Sequence, residues 1–153
     1  MPHETKELRK SPVKEIMTEE FHSVHPEEEI NEIIRLFDKY EDECFPVVDD
    51  DENFIADIHE RDLLKLAISP SILNEHEIIG YLGTKIDESY FAETAEEIME
   101  KHDVTFNPET NVEDCVIEMW KEDLRSVPVL EHGKIKGILF EKDIIEKVVE
   151  EKG

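Results

Sequence analysis

Glu15-Ile16-Met17, Pro26-Glu27 and Phe45-Pro46-Val47-Val48 return in the same order as Glu97-Ile98-Met99, Pro108-Glu109 and Val127-Pro128-Val129-Leu130, each 82 positions later. Beyond them the offset drops to 81, where Glu60-Arg61-Asp62-Leu63-Leu64 answers Glu141-Lys142-Asp143-Ile144-Ile145. A one-residue change inside a turn is readily absorbed, because loops carry little packing. Val13–Pro70 thus recurs as Ala95–Gly153. An internal repeat of this kind governs the fold, and any site at the seam of two such halves comes as a related pair.

Each half reads helix–strand–helix–strand–strand–helix. Ser11-Pro12 opens a short helix that ends near Met17, with Ser11 placed to cap it and Pro12 at its first position. His22–His25 reads as a short strand stopped by Pro26. Glu27–Tyr40 reads as a helix, with Ile30, Ile33, Ile34 and Phe37 spaced along one face. Phe45–Val48 is a buried strand, Asp49–Asn53 a turn, Phe54–Ile58 a strand and Arg61–Ile68 a helix. The acidic turn lacks the central Gly and terminal Glu of a calcium loop and reads as a solvated hairpin tip.

The second half repeats the order. Ala92–Met99 is the short helix, Val104–Phe106 the strand, and Asn111–Glu122 the helix with Val112, Cys115, Val116 and Met119 inward. Val127–Leu130 and Ile135–Phe140 pair around Glu131-His132-Gly133-Lys134, and Asp143–Val149 closes. Ser69-Pro70-Ser71 breaks the chain between the halves; Ile72–Tyr81 adds a helix, and Gly80, Gly83 and Thr84 mark a bend. The expected division is a tail at 1–11, a first repeat at 12–70, a connector at 71–91 and a second repeat at 92–153. One copy alone buries too little, so the expected α+β architecture packs two repeats sheet to sheet in one module with pseudo-twofold symmetry.

Charge narrows the function. Asp and Glu number 41 against 17 Lys and Arg, a formal net charge of −24. Nucleic acid is expected to be repelled, since binding it needs clustered basic residues. An anionic membrane surface is disfavoured likewise, and no apolar run approaches the ~20 residues of a span. Two cysteines, Cys44 and Cys115, lie in apolar patterns without framework spacing and point to a cytoplasmic protein with reduced thiols. There is no Cys-x-x-Cys, His-Glu-x-x-His or Gly-x-Ser-x-Gly, and His22 and His25 point to opposite faces of a strand. Neither catalytic residues nor a metal site is expected.

The order of elements, the Ile-Met ending of the first helix, the strand before Pro, the Phe/Val-Pro-Val strand and the closing Arg/Lys-Asp-Leu/Ile helix, all present twice, resemble a cystathionine-beta-synthase (CBS) domain. Two in tandem resemble a CBS pair, or Bateman module. The resemblance implies regulation, with an adenosine-containing ligand (AMP, ADP, ATP or S-adenosylmethionine) sensed in clefts between the repeats. No cofactor is required. It also implies a homodimer through the outer helices, and, for a pair standing alone, a protein partner regulated in trans.

In the family a Ser or Thr on the first strand of one repeat meets the Gly-apolar-x-Ser/Thr-x-x-Asp end of the other. The first hydroxyl is present twice, as Ser23 and Thr105, and the ribose-binding acid twice, as Asp62 and Asp143. The Gly is kept as Gly137 and replaced by Ala56; the second hydroxyl is replaced by His59 and Phe140. The basic residue before the x-Pro-Val strand is kept as Arg125 and replaced by Glu43. The resemblance sets Ser23 against Asp143 with Phe140, and Thr105 against Asp62 with His59.

The chemistry is independent of the family. A carboxylate can accept two hydrogen bonds from a ribose diol. Asp62 and Asp143 fall in the first turn of a helix, where N–H groups can receive a phosphate, and Arg61 and Lys142 beside them add positive charge. An Asp at that position also serves simply to complement the helix dipole. His59 equally suits a helix cap, and Phe140 a core position that fills a cleft or stacks on a base. The lost hydroxyls favour a second reading: a structural, dimerisation or protein-interaction module with empty clefts.

Overall fold

The short segment that opens each repeat is bound to the body of the other repeat. In the computed structural model, which describes residues 7–67 and 93–152, Val13 N–H donates to Thr110 C=O at 2.7 Å and Val112 N–H to Ser11 C=O at 2.9 Å. Reciprocally, Ile30 N–H donates to Glu93 C=O and Ala95 N–H to Glu28 C=O, both at 2.9 Å. The compact units consequently cut across the repeat boundaries. A first unit comprises His22–Asp51 and Ile55–Lys101; a second comprises Met1–Phe21, Glu52–Phe54 and His102–Gly153.

The first unit contains helix α1 (Ile30–Tyr40), strands β1 (Cys44–Val48) and β2 (Phe54–His59, save its first residue), a 3₁₀ helix at Glu60–Ala67 and the short helix α2 (Ala95–Ile98). Strands β1 and β2 form a two-stranded sheet. Its core gathers Val24, Ile33, Phe37, Phe45, Val47 and Ile58 with Ala95 and Ile98 from the second repeat. The second unit contains a 3₁₀ turn at Val13–Glu15, helix α3 (Val112–Lys121), strands β3 (Ser126–Glu131) and β4 (Lys134–Phe140), and helix α4 (Glu141–Lys152). Its core gathers Phe106, Cys115, Met119, Val127, Val129 and Leu139 with Val13 from the first repeat. Val13 and Ala95 are repeat equivalents, and both are fully buried.

Strands β3 and β4 pair antiparallel from Ser126↔Phe140 to Glu131↔Lys134. Their two-residue turn places His132 at φ 55° and Gly133 at φ 81°, the positive pair that matches strand twist in a tight hairpin. The register shifts between Val129 and Leu130, a bulge of the kind that bends a strand.

Several boundaries differ from the sequence reading. Helix α1 starts at Ile30 rather than Glu27, because Glu29 is extended (φ −70°, ψ 142°) and bridges Thr94. Residues ahead of the helix spend their backbone groups on the other repeat. His22–His25 and Val104–Phe106 shrink to single parallel bridges, Val24↔Val47 and Phe106↔Val129, since Pro26 and Pro108 follow closely and cut the ladder short. Ser11 does not cap a helix: its hydroxyl donates to Glu7 C=O at 2.8 Å, closing a helical turn at residues 7–10. The helix expected at Arg61–Ile68 is the 3₁₀ helix Glu60–Ala67. The inward stripes are narrower than expected. Ile34 and Val116, equivalent positions on α1 and α3, are 42% and 39% exposed. The connector, with its expected helix at Ile72–Tyr81 and bend at Gly80–Thr84, lies outside the described residues.

Candidate functional site

Both candidate ribose acids sit where a strand hands over to the closing helix. Asp62 accepts the backbone N–H of His59 at 2.8 Å, and Asp143 accepts that of Phe140 at 2.9 Å. Each carboxylate thus reaches back three residues to accept the N–H of the residue just ahead of the helix, the reach-back half of a capping box. Asp62 is buried at 6% exposure, Asp143 half-buried. The repeat preserves this geometry although its neighbours differ.

In the second unit Asp143 has a partner that sequence reasoning missed. Thr18 Oγ1 donates to the carboxylate, lying 3.1 Å from Oδ1 and 3.0 Å from Oδ2. Thr18 is fixed by a two-way backbone ladder with Ile138, both bonds at 2.9 Å. Met17, just before it, packs so closely on β4 that a Cβ at Gly137 would lie 2.7 Å from Met17 Sδ. Here is a reason for the glycine: Met17 occupies the space. Phe140 is 8% exposed, and Lys142 Nζ stands 5.3 Å from its ring centroid.

In the first unit the same positions carry other chemistry. Glu100 stands where the second unit has Thr18, and Asp57 where it has Ile138. The ladder is kept: Asp57 N–H donates to Glu100 C=O at 3.0 Å, and Glu100 N–H to Asp57 C=O at 2.9 Å. Asp57 is a buried acid, 4% exposed, in a strand whose preceding residues, Phe54, Ile55 and Ala56, are apolar. His59 Nε2 lies 3.4 Å from Asp57 Oδ1. Hydrogen bonding to Asp57 raises the imidazole pKa above 6.5; burial opposes this, and the charges of Asp57, Asp62 and Glu100 reinforce it. The sequence signal for this cluster was the break in the apolar repeat, Asp57 against Ile138, followed two residues later by His59 against Phe140.

Arg61 and Lys142 are exposed beside their acids, and Arg125 is exposed ahead of β3. Ser23 is exposed in the first unit and Thr105 exposed in the second. Each expected pair, Ser23 with Asp143 and Thr105 with Asp62, therefore draws one residue from each unit. Away from the acids, His25, Glu27 and Asp50 of the first unit bring one ligand atom each within 4.8 Å of one another, all three exposed. His22, by contrast, stacks on Tyr40 with ring centroids 3.6 Å apart and lies 3.0 Å from Asp42.

The chain is thus a duplicated strand–strand–helix unit that exchanges its opening segment with its twin, and in each copy the closing helix begins beside a buried or half-buried acid. The CBS domain model matches residues 13–69 and 95–150, and the chain belongs to the CBS domain family. CBS domain pairs are in general regulatory, non-catalytic modules.

Among curated proteins the chain is similar to the uncharacterized protein MJ1225 of Methanocaldococcus jannaschii, at 25% identity over 134 residues. That match covers 88% of this chain but 41% of the relative, so the chain spans about two fifths of that protein's length. Among solved structures it is similar to CBSX2 in complex with AMP, with a TM-score of 0.80 and 20% identity over 94% of this chain and 99% of that one. It is also similar to the CBS domain pair of MJ0100 in complex with 5′-methylthioadenosine and S-adenosyl-L-methionine, with a TM-score of 0.70 and 22% identity over 94% and 98% of the two chains. The CBS domain of a membrane protein from Sphaerobacter thermophilus gives a TM-score of 0.74 at 22% identity, over 95% and 92%. At these identities the likeness is one of fold. Among the described residues no helix is long and apolar enough to cross a membrane.

Proposed function

We propose that this chain is a non-catalytic regulatory module that senses an adenosine-containing ligand, AMP, ADP, ATP or S-adenosylmethionine, and holds its ribose on Asp62. The single observation that carries the reading is the preserved acid. In both repeats a carboxylate is fixed at the strand-to-helix handover by the N–H three residues before it. His59 and Arg61 flank Asp62 and supply the polar groups that a sugar or phosphate requires. Asp143, with Phe140 and Lys142, is the counterpart set in the other repeat. The complexes of CBSX2 with AMP and of MJ0100 with 5′-methylthioadenosine and S-adenosylmethionine support the ligand class.

The test is thermal unfolding of the purified protein with each ligand separately. A ligand at a hundred times its dissociation constant adds about 2.7 kcal/mol of stability, a clear rise in melting temperature. Asp62→Ala removes that rise. No rise with AMP, ATP or S-adenosylmethionine transfers the case to the second reading, a structural or protein-interaction module. That reading is favoured by one specific observation, the loss of the family hydroxyl at both His59 and Phe140.

The working assembly in this reading is a homodimer. On the outer face of the second unit Trp120 is 89% exposed, Ile117 56%, Ile145 53% and Val149 63%. Val116, Trp120, Leu124, Ile144 and Ile145 line a groove of about 330 Å³ between α3 and α4. Exposed apolar side chains grouped on one face in this way are a feature of protein–protein contact surfaces. Regulation then passes through the dimer or through a protein partner in trans. Two buried, unbridged cysteines support a cytoplasmic setting, and the net charge of −24 argues against nucleic acid or an anionic membrane as a partner.

A further inference from the structure

The segment that leads into α1 carries metal-ligand side chains that the adenosine reading does not use. We propose that His25, Glu27 and Asp50, all in the first unit, form a site for a divalent transition-metal ion of the Zn²⁺ or Mn²⁺ class, which ties this segment to the tip of the β1–β2 hairpin. The inference stands apart from the adenosine reading.

The backbone brings the three together. Val24 is bonded to β1 through both its groups, its N–H donating to Pro46 C=O and its C=O accepting from Val48 N–H, each at 2.9 Å. His25 therefore emerges beside the end of β1, where the turn holding Asp50 begins. Glu28 N–H then donates to His25 C=O at 3.0 Å. That bond closes a turn over Pro26 and Glu27, with proline at the position whose φ it presets, and returns Glu27 toward the imidazole. A ligand atom of each side chain lies within 4.8 Å of those of the other two. Zinc bonds of about 2.1 Å set tetrahedral ligands roughly 3.4 Å apart, a gap that exposed side chains close by rotation.

The imidazole separates this set from a patch of acids. His25 Nδ1 lies 3.2 Å from Val48 C=O. A carbonyl oxygen only accepts, so Nδ1 carries the proton and Nε2 keeps the lone pair that a metal takes. Metal-bound histidines are ordinarily oriented this way, by a carbonyl or carboxylate on the second nitrogen. One nitrogen with two carboxylates suits zinc or manganese better than magnesium or calcium, which favour oxygen ligands alone. Asp49 meanwhile serves the turn, its Oδ1 accepting Asp51 N–H at 2.9 Å.

The second repeat solves the same place differently. Its equivalents are Asn107, Glu109 and His132. Asn107 Oδ1 accepts Glu109 N–H at 2.9 Å, and the Glu109 carboxylate pairs with the Lys14 ammonium. At the position of Lys14 the first unit has Glu96. The backbone bond is kept: Lys14 N–H donates to Pro108 C=O at 3.0 Å, and Glu96 N–H to Pro26 C=O at 2.9 Å. One repeat thus brings a built-in cation to its glutamate. The other brings a further acid and a histidine, and takes its cation from solution.

Titration of the full chain with ZnCl₂ and with MnCl₂, without nucleotide and in excess MgCl₂, tests this. Mn²⁺ is expected to broaden the His25 ring resonances at substoichiometric concentration. One Zn²⁺ equivalent is expected to be lost in His25→Ala and in Asp50→Asn, and kept in Asp38→Asn, which removes one exposed acid from α1. All three proposed ligands are exposed, so the metal-free melting curve checks that each variant folds. Zn²⁺ binding that is equal in His25→Ala and the unsubstituted chain overturns the inference, because the metal then sits elsewhere. Binding that excess Mg²⁺ removes overturns it too, as an adventitious ion only. Neither result touches the adenosine reading, since no nucleotide is present.

Discussion

Asp57 and His59, two positions apart on one strand, share a face of it and meet, with His59 Nε2 3.4 Å from Asp57 Oδ1, and they place an ionisable pair beside the acid Asp62. The Asp57 hydrogen bond holds the imidazole pKa above its ordinary 6.5 in the folded chain. The protonated ring is therefore bound better by the fold than by the unfolded chain. Its contribution to stability is fully present below about pH 6.5 and is lost as pH rises through the folded value. We expect the His59 ring resonances to titrate above pH 6.5 in a two-dimensional NMR series, and Asp57→Asn to move that midpoint down. A midpoint unchanged by Asp57→Asn would assign the shift to the other carboxylates.

Phe45 anchors the first unit. It is fully buried, and its ring centroid lies 4.3 Å from that of Phe37. Phe45→Ala removes a large apolar side chain from a site walled by α1 and β1, and is expected to cost about 3–5 kcal/mol, measured by urea denaturation. A loss under about 1 kcal/mol would mean that the site collapses around the smaller residue.

The hydrophobic period and the repeated Pro-Val strands made the element order legible, because burial of one face imposes those patterns whatever the surrounding residues. The exchange of opening segments was not legible. Val13 and Ala95 read as helix residues of their own repeats, and nothing local reveals which hairpin receives them. The start of α1 was overestimated for the same cause: Glu28 C=O and Ile30 N–H are engaged by residues more than sixty positions away in the chain. At the site, Asp62 and Asp143 were legible from the repeat itself. Thr18 was not, since a lone hydroxyl after a helix carries no periodic signal. Asp57 left a readable trace, an acid breaking an apolar strand where the twin has Ile138.

Both thiols are pushed up to about 12 by burial, Cys44 with help from the nearby charges of Asp57, Glu43 and Asp42, and Cys115 with help from Asp114. The thiolate is the reactive form, and at pH 8 almost none is present. The native protein is expected to leave an aromatic disulfide reagent such as DTNB unreacted at pH 8, and to release two equivalents once denatured. Rapid native labelling would show that one of the units opens on the timescale of the assay.

Trp120 offers the last prediction, because the twin helix supplies its own control. Ile117 and Trp120 on α3 correspond to Arg35 and Asp38 on α1, so the apolar face belongs to one repeat and its polar counterpart to the other. A Trp 89% exposed gains little from the monomer fold, so Trp120→Asp, the residue its twin already carries, should leave monomer stability within about 0.5 kcal/mol. It should nevertheless break an assembly that buries this face, since truncating a central aromatic anchor typically costs 2 kcal/mol or more of association energy, about thirtyfold in dissociation constant. Sedimentation velocity across a concentration series reads the effect directly. The unsubstituted chain is expected to sediment as a dimer, and Trp120→Asp or Ile117→Arg as a monomer with an unchanged melting curve at low concentration. A dimer that survives both substitutions would place the association surface elsewhere, beginning with exposed Ile34 and Leu64 of the first unit.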